Sequence, residues 1–218
     1  MKKGRNLLNR LEYKFGKYAI SNLMLIVVGA MGIVFIMDLL ISAAMGISIS
    51  SQLSFDRGAI FQGQIWRILT FAFLPPNSSL IFILFSLYFY YIIGSALERE
   101  WGAFRFNLFY LCGILCTIAA GFITGSATNY FLNMSLFFAF ALLYPNFEIL
   151  LFFFIPLKIK YLAYLDAAYF LYLFIISGIS GKLAIAVSLL NLLLFFWSDL
   201  RDELSRLWTN FRFRMRRK

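Results

Sequence analysis

Histidine is absent from the 218 residues, which removes the commonest general base and the commonest nitrogen ligand for zinc before any other residue is considered. The two cysteines, Cys112 and Cys116, stand one helical turn apart inside an apolar run. Helical i and i+4 positions suit a disulfide poorly and two thiols alone make no zinc site, so both read as small packing residues. Two carboxylates inside apolar runs, Asp38 and Asp166, are left with chemical potential. A carboxylate in hydrocarbon is costly and turns toward protein or water. Each is therefore either the hydrogen-bonded partner of a structural group, such as a tyrosine, or a functional polar contact. No cofactor or metal site is legible, and the 27 Phe and 12 Tyr read as packing and lipid-facing residues rather than a ligand cage.

The elements that must position these groups are membrane helices. Hydrophobic residues make up 62% of the chain and charged ones 14%, against an apolar share of about 45–50% in soluble domains. The charges crowd into short stretches between long apolar runs, as backbone satisfied within its own helix in hydrocarbon requires. Six such runs, at about 20–46, 79–98, 104–125, 130–145, 159–178 and 182–198, approach the roughly twenty residues that a span needs. The fourth is short, ends at Pro145 and needs protein neighbours around its ends. Between the first two, Gly46 to Pro76 carries Asp56, Arg57, Trp66 and Arg67 among apolar residues. It is too polar to span and too apolar to float free, so it is expected to lie in the interface. The fold class that follows is all-α: a polytopic bundle of six transmembrane helices with a membrane-embedded loop between helices 1 and 2.

A net charge of +10 suggests nucleic acid at first sight, but the basic residues gather in two tails beside the first and last apolar runs. Anionic lipid headgroups are the simpler partner, and no nucleic acid is expected. Residues 1–18 form a basic amphipathic segment in which Leu7, Leu8, Leu11 and Phe15 recur at helical spacing. It reads as an interfacial helix rather than a cleaved signal peptide, because the following apolar run exceeds a signal core. The membrane domain occupies 19–198, and a second basic tail, with Trp208 at headgroup level, occupies 199–218. With six spans and both termini cytoplasmic, seventeen of the twenty Lys and Arg fall on the inner side, leaving Arg57, Arg67 and Lys182 outside.

Three motifs then carry a resemblance. Gly63-Gln64-Ile65-Trp66-Arg67-Ile68-Leu69-Thr70-Phe71-Ala72-Phe73-Leu74-Pro75 resembles the Trp-Arg motif in the first loop of rhomboid proteins. Gly94-Ser95-Ala96-Leu97-Glu98-Arg99-Glu100-Trp101-Gly102 resembles the Gly-x-x-Leu-Glu-x-x-Trp-Gly signature closing their second helix. Leu151 to Lys160, LFFFIPLKIK, is similar to the apolar-Pro-x-Lys stretch before their fifth helix. The order is right, and the resemblance covers roughly residues 20–198. On physical grounds the Trp66 ring suits an interfacial anchor, the Arg67 guanidinium a phosphate or carbonyl oxygen, and Glu98 a helix edge where a charge snorkels or pairs.

The resemblance implies a serine on the fourth helix within Gly-x-Ser-Gly, a histidine base on the sixth, and oxyanion donors on the second. Here Phe82 and Ser86 occupy the two oxyanion positions, and Asn133-Met134-Ser135-Leu136 stands where the serine motif falls. Ser135 matches the nucleophile position, but the flanking glycines that allow a close backbone approach are gone. A serine hydroxyl without a base is a poor nucleophile. Lys182, the one alternative base near the last span, reads more simply as a snorkelling anchor. The expectation is a protease-dead rhomboid relative of derlin type in a bacterial cell membrane. It would bind transmembrane segments of client membrane proteins, contacting them at spans two and five, and affect their stability, trafficking or degradation. The alternatives are an active intramembrane serine protease with an unconventional base, and a small transporter or scaffold of unrelated family.

Overall fold

The computed structural model describes residues 3–76, 79–151, 155–193 and 195. The basic segment expected over 199–218, with Trp208, lies outside the described residues. The helices, in chain order, are α1 (Lys3–Phe15), α2 (Leu23–Met45), α3 (Ile49–Leu53), α4 (Arg57–Phe61), α5 (Arg67–Thr70), α6 (Leu80–Trp101), α7 (Ala103–Thr124), α8 (Tyr130–Leu143), α9 (Ile159–Ile176) and α10 (Ile179–Leu193). Four of them, α2, α6, α7 and α9, are long and apolar enough to cross a membrane. Helices stand at all six expected places, but α8 and the described part of α10 are shorter than a span requires. The 14 residues of α8 reach about 21 Å at 1.5 Å per residue, against a hydrocarbon thickness of about 30 Å. Two boundaries also move. The α6 helix continues to Trp101, and α10 begins at Ile179, which puts Lys182 inside its first turn.

The short helix survives because it is surrounded. Eight of the 14 residues of α8 are buried, including Leu132, Leu136, Ala139 and Phe140 at helical spacing. Around it, α6 buries Ile83, Leu87, Gly94 and Leu97, and α7 buries Phe106, Phe109, Tyr110 and Gly113. A single residue, Gly102, separates α6 from α7; its φ of 82° is a turn conformation that costs a side chain and suits glycine. The α2 helix buries only a stripe of Met24, Val27 and Met31. Met24 lies so close to Gly94 that a Cβ there would overlap its side chain, so the glycine sets the approach of α2 to α6. The least embedded helix is α9, with only Ile159 and Phe170 of its 18 residues buried.

Two small antiparallel sheets depart from the all-α expectation. Phe55–Asp56 (β1) pairs with Ser126–Ala127 (β2), tying the segment after α2 to the turn between α7 and α8. Glu148–Leu151 (β3) pairs with Ile155–Lys158 (β4), so much of the stretch read as a lead into the fifth helix is a hairpin. Its apolar run shows no period-2 alternation, which hid the strands. Pro145 lies just beyond α8, where it cannot prolong the helix, and β4 is brought back so that the Ile159 N–H donates to the Phe147 carbonyl at 2.9 Å.

The end of the bundle that carries this hairpin also carries α1 and the Gly102 turn. Arg105 at the start of α7 donates to Glu12 Oε2 of α1 at 2.9 and 3.0 Å and to Asn9 Oδ1 at 3.1 Å. Tyr144, at the end of α8, donates to Glu100 Oε2 at 2.9 Å, and that bond to a carboxylate raises the phenol above its ordinary pKa. The segment 46–76 and the α7–α8 turn lie together at the opposite end.

Candidate functional site

The segment after α2 is an assembly of short helices around one buried guanidinium. Arg67 is 7% exposed. Its Nη1 donates to the carbonyls of Ser51 at 2.7 Å and Ser54 at 2.8 Å, its Nε to Gln64 Oε1 at 2.7 Å, and its Nη2 to Gln52 Oε1 at 3.2 Å. Trp66 Nε1 donates to the Gln52 carbonyl at 3.3 Å and Thr70 Oγ1 to the Leu53 carbonyl at 2.8 Å. The carbonyls of Ser51, Gln52, Leu53 and Ser54, left open where α3 ends, are thus taken one after another by Trp66, Arg67 and Thr70. Of the two acceptors open to Arg67, carbonyl oxygen is the one used. The fork geometry of arginine reaches four acceptors at once, which a lysine cannot do. The Trp66 ring remains half exposed.

Asp38 belongs to the same assembly. It accepts from the Ser50 N–H at 3.0 Å, Ser50 Oγ at 3.0 Å and Ser48 Oγ at 3.2 Å, and so fastens the first turn of α3 to α2. Its partners are serines rather than a tyrosine. The assembly is docked on the bundle by Phe55, edge-on to Phe71 at 5.8 Å and Phe122 at 5.4 Å. Arg57 Nη1 caps the end of α7 through the Phe122 carbonyl at 2.9 Å, and Asn129 Nδ2 donates to the Leu74 carbonyl at 2.7 Å.

The second motif also has a structural duty. Glu98 Oε1 accepts from the Asn22 N–H at 2.6 Å, holding the start of α2, where Asn22 has a left-handed φ of 56°. Leu97 is fully buried, Trp101 tilts against Phe109 at 5.4 Å, and Gly94 and Gly102 serve the approach and the turn described above. Glu98 therefore pairs with backbone rather than with Arg99.

Among the described residues no hydrogen bond joins Ser135 to Ser86, the positions that the resemblance assigns to catalysis. Ser135 is 1% exposed and its hydroxyl donates to the Leu132 carbonyl of its own helix at 2.7 Å. Phe82 is half exposed and Ser86 partly buried on α6. Lys182 is exposed, with its ammonium 6.0 Å from the Phe174 ring centroid. A cavity of about 150 Å³ between α7, β2 and α10 is lined by the hydroxyl residues Thr117, Thr124, Ser126, Thr128 and Ser180. Of these, Thr117 and Thr124 donate to carbonyls of their own helix, at 2.8 and 2.9 Å. Cys112 and Cys116 are free thiols, partly buried.

Asp166 lies on α9 and, among the described residues, makes no hydrogen bond to a tyrosine or to any other group. Asp166 and Tyr169 of α9 and Tyr90 of α6 act electrostatically on the Tyr130 phenol of α8. Tyr90 in turn neighbours the Asn133 amide and Tyr110. Asn133 and Tyr110 are 4% and 3% exposed, and among the described residues Asn133 Oδ1 and Tyr110 Oη have no hydrogen-bond partner. On the far side of α8, Ser188 Oγ donates to the Phe131 carbonyl at 2.6 Å, and Asn191 lies against Gly113, tying α10 to α8 and α7. Asparagines at 107, 133 and 191, each inside an apolar run, were the available signal.

A bundle whose helices are clasped at both ends, with polar groups drawn into its middle, defines a multi-pass helical membrane protein. The chain belongs to the family described as eukaryotic integral membrane protein (DUF1751), which matches residues 25–197. That description runs against the expected bacterial cell membrane, a placement that residue pattern alone could not decide. No curated protein matches the chain.

Proposed function

We propose that this chain is a rhomboid-like membrane protein without proteolytic activity, which binds transmembrane segments of client membrane proteins and affects their stability, trafficking or degradation. The observation that supports it most is the state of Ser135, whose hydroxyl is committed to the Leu132 carbonyl in a chain with no histidine. Hydrolysis needs a group to accept the serine proton and donors aimed at the developing oxyanion. Phe82 offers no such donor, and Lys182 stands over Phe174 rather than beside Ser135. The two motifs that resemble rhomboid signatures hold the first loop and the α2–α6 contact instead, so the scaffold has reasons to keep them without catalysis.

The client-binding half of the proposal rests on α9, whose outward face is largely uncovered by other described elements. In this reading all six helices traverse the membrane, the short α8 doing so inside the bundle, with α1 and the β3–β4 hairpin on the cytoplasmic side. Two measurements test the proposal. A fluorophosphonate probe is expected to leave Ser135 unlabelled, and a model single-pass substrate to remain uncut by the purified protein. Cutting that is abolished by Ser135→Ala would overturn the inactive reading. Photocrosslinking from α6 and α9 in native membranes is expected to capture membrane proteins; capture of soluble proteins alone would end the client-binding reading.

A further inference from the structure

The α1 helix meets the bundle with its polar side. Asn9 and Glu12, three residues apart and so neighbours on one face, both accept from Arg105 at the start of α7. Turned away from that contact are two stripes at the i, i+4, i+7 spacing of a helix face, which run from α1 into the turn Gly16–Tyr18. Arg10, Lys14 and Lys17 form one and Leu11, Phe15 and Tyr18 the other, and all six are exposed. The stripes touch: the Lys14 ammonium lies 5.4 Å from the Phe15 ring centroid and the Lys17 ammonium 4.9 Å from that of Tyr18. Residue order alone also allows α1 to pack its apolar side on the bundle and leave its charges to water. The Arg105 contact and the exposure of Leu11 and Phe15 give a different arrangement.

The positive charge on this side is unopposed. Glu12, the one carboxylate of α1, is taken by Arg105 at 2.9 Å. At the same end of the bundle Glu98 accepts from the Asn22 N–H, Glu100 accepts from Tyr144, and Glu148 pairs with Lys158 at 3.8 Å. Among the described residues, Arg10, Lys14, Lys17 and the exposed Arg99 at the end of α6 make no ion pair. Cations left in this way attract anions from outside the chain, and the apolar stripe beside them selects the kind. An acidic protein or polynucleotide in water would satisfy the charges and leave Leu11, Phe15 and Tyr18 wet. A lipid leaflet takes both, with the apolar side chains below the headgroups and the cations at phosphate level. The segment is also confined to that depth, because α2, long and apolar enough to cross a membrane, begins at Leu23.

We propose that this side of α1, with the turn that follows it, is a docking surface for anionic phospholipid headgroups. Arg10, Lys14 and Lys17 hold the anionic groups, and Leu11, Phe15 and Tyr18 sink into the leaflet beside them. Arg105 is a positioning residue: by holding Asn9 and Glu12 it turns the cations outward and neutralises the one carboxylate of α1 that would repel the headgroups. The surface is separate from the client-binding reading, which rests on α9, and either stands without the other.

The test uses the full chain in phosphatidylcholine vesicles, with Cys112→Ala and Cys116→Ala and a fluorophore on Tyr13→Cys, an exposed position of α1. Phosphatidylserine or phosphatidylcholine carrying a nitroxide high on its acyl chain is the quencher. Phosphatidylserine is expected to quench at the lower mole fraction. Arg10→Gln, Lys14→Gln and Lys17→Gln are each expected to reduce that preference about fivefold, and all three together to abolish it. Arg105→Gln is expected to lower it with every α1 cation in place, and Glu12→Gln added to Arg105→Gln to restore it, which loss of structure alone would not do. Failure of that restoration overturns the role given to Arg105. Equal quenching by the two lipids before any cation is changed overturns the docking proposal. So does a preference that survives the triple change, which would then lie with another basic segment such as residues 199–218. A response to polyglutamate in phosphatidylcholine vesicles, with none to phosphatidylserine, would give the surface to an acidic protein segment and overturn the lipid reading.

Discussion

The segment from Gly46 to Pro76 and the face shared by α6, α8 and α9 both bring polar groups into an apolar chain, and they treat them in opposite ways. In the first, Arg67 donates to four oxygens and the carbonyls ending α3 are taken in turn by Trp66, Arg67 and Thr70. In the second, among the described residues, Asn133 Oδ1 and Tyr110 Oη are buried without partners and Asp166 makes no ion pair. A satisfied polar network fixes one geometry and resists change, whereas an unsatisfied one holds energy that a ligand can release.

The comparison can be broken most forcefully at Arg67. Arg67→Ala strands several carbonyls at once and is expected to cost about 3 kcal/mol, a charged hydrogen bond being worth about 1.5–3. Thermal unfolding in detergent checks this, and Arg67→Lys should recover only part of the loss, because an ammonium cannot reach the same acceptors. At the other clasp, Gly94→Val sets a branched side chain against Met24 and is expected to cost about 2 kcal/mol, with α2 and α6 forced apart. Cysteine crosslinking between the two helices would report that separation.

Asp38→Asn keeps the shape but weakens the bonds from Ser48 and Ser50, at an expected cost of about 1 kcal/mol. Asp166→Asn sharpens the contrast because it should change stability by less than about 0.5 kcal/mol or raise it, there being no bond to lose. A large loss of stability at Asp166 would make the two regions alike and remove the distinction. The smallest effect is expected at Ser135→Ala, which deletes a hydroxyl bonded only within its own helix turn and should leave both melting temperature and partner association unchanged.

Much of this was legible in residue order. Apolar runs give α2, α6, α7, α8 and α9 to within a few residues, and the start of α10, because hydrocarbon leaves the backbone no alternative to pairing with itself. The shortness of α8 and its need for neighbours follow from Pro145 and from span length. The absence of a histidine base is a property of composition and needs no coordinates. Trp66-Arg67 and the stretch from Gly94 to Gly102 could be singled out as motifs, yet their partners could not be named. Asn22 lies 76 residues before Glu98, and Ser51 lies 16 before Arg67.

Those pairings were decided by tertiary structure. Which carbonyls a guanidinium caps depends on where a short helix ends, and the β1–β2 contact that docks the segment joins residues about seventy positions apart. The polar face is of the same kind: Tyr90, Tyr130, Asn133 and Asp166 are unremarkable within their own runs, and only the packing of α6 and α9 around a short α8 makes them neighbours. Sequence set the helices and removed the base, since both depend on residue type along one chain. The fold chose the partners, since hydrogen bonds and charges act over a few ångströms in space whatever their distance in sequence.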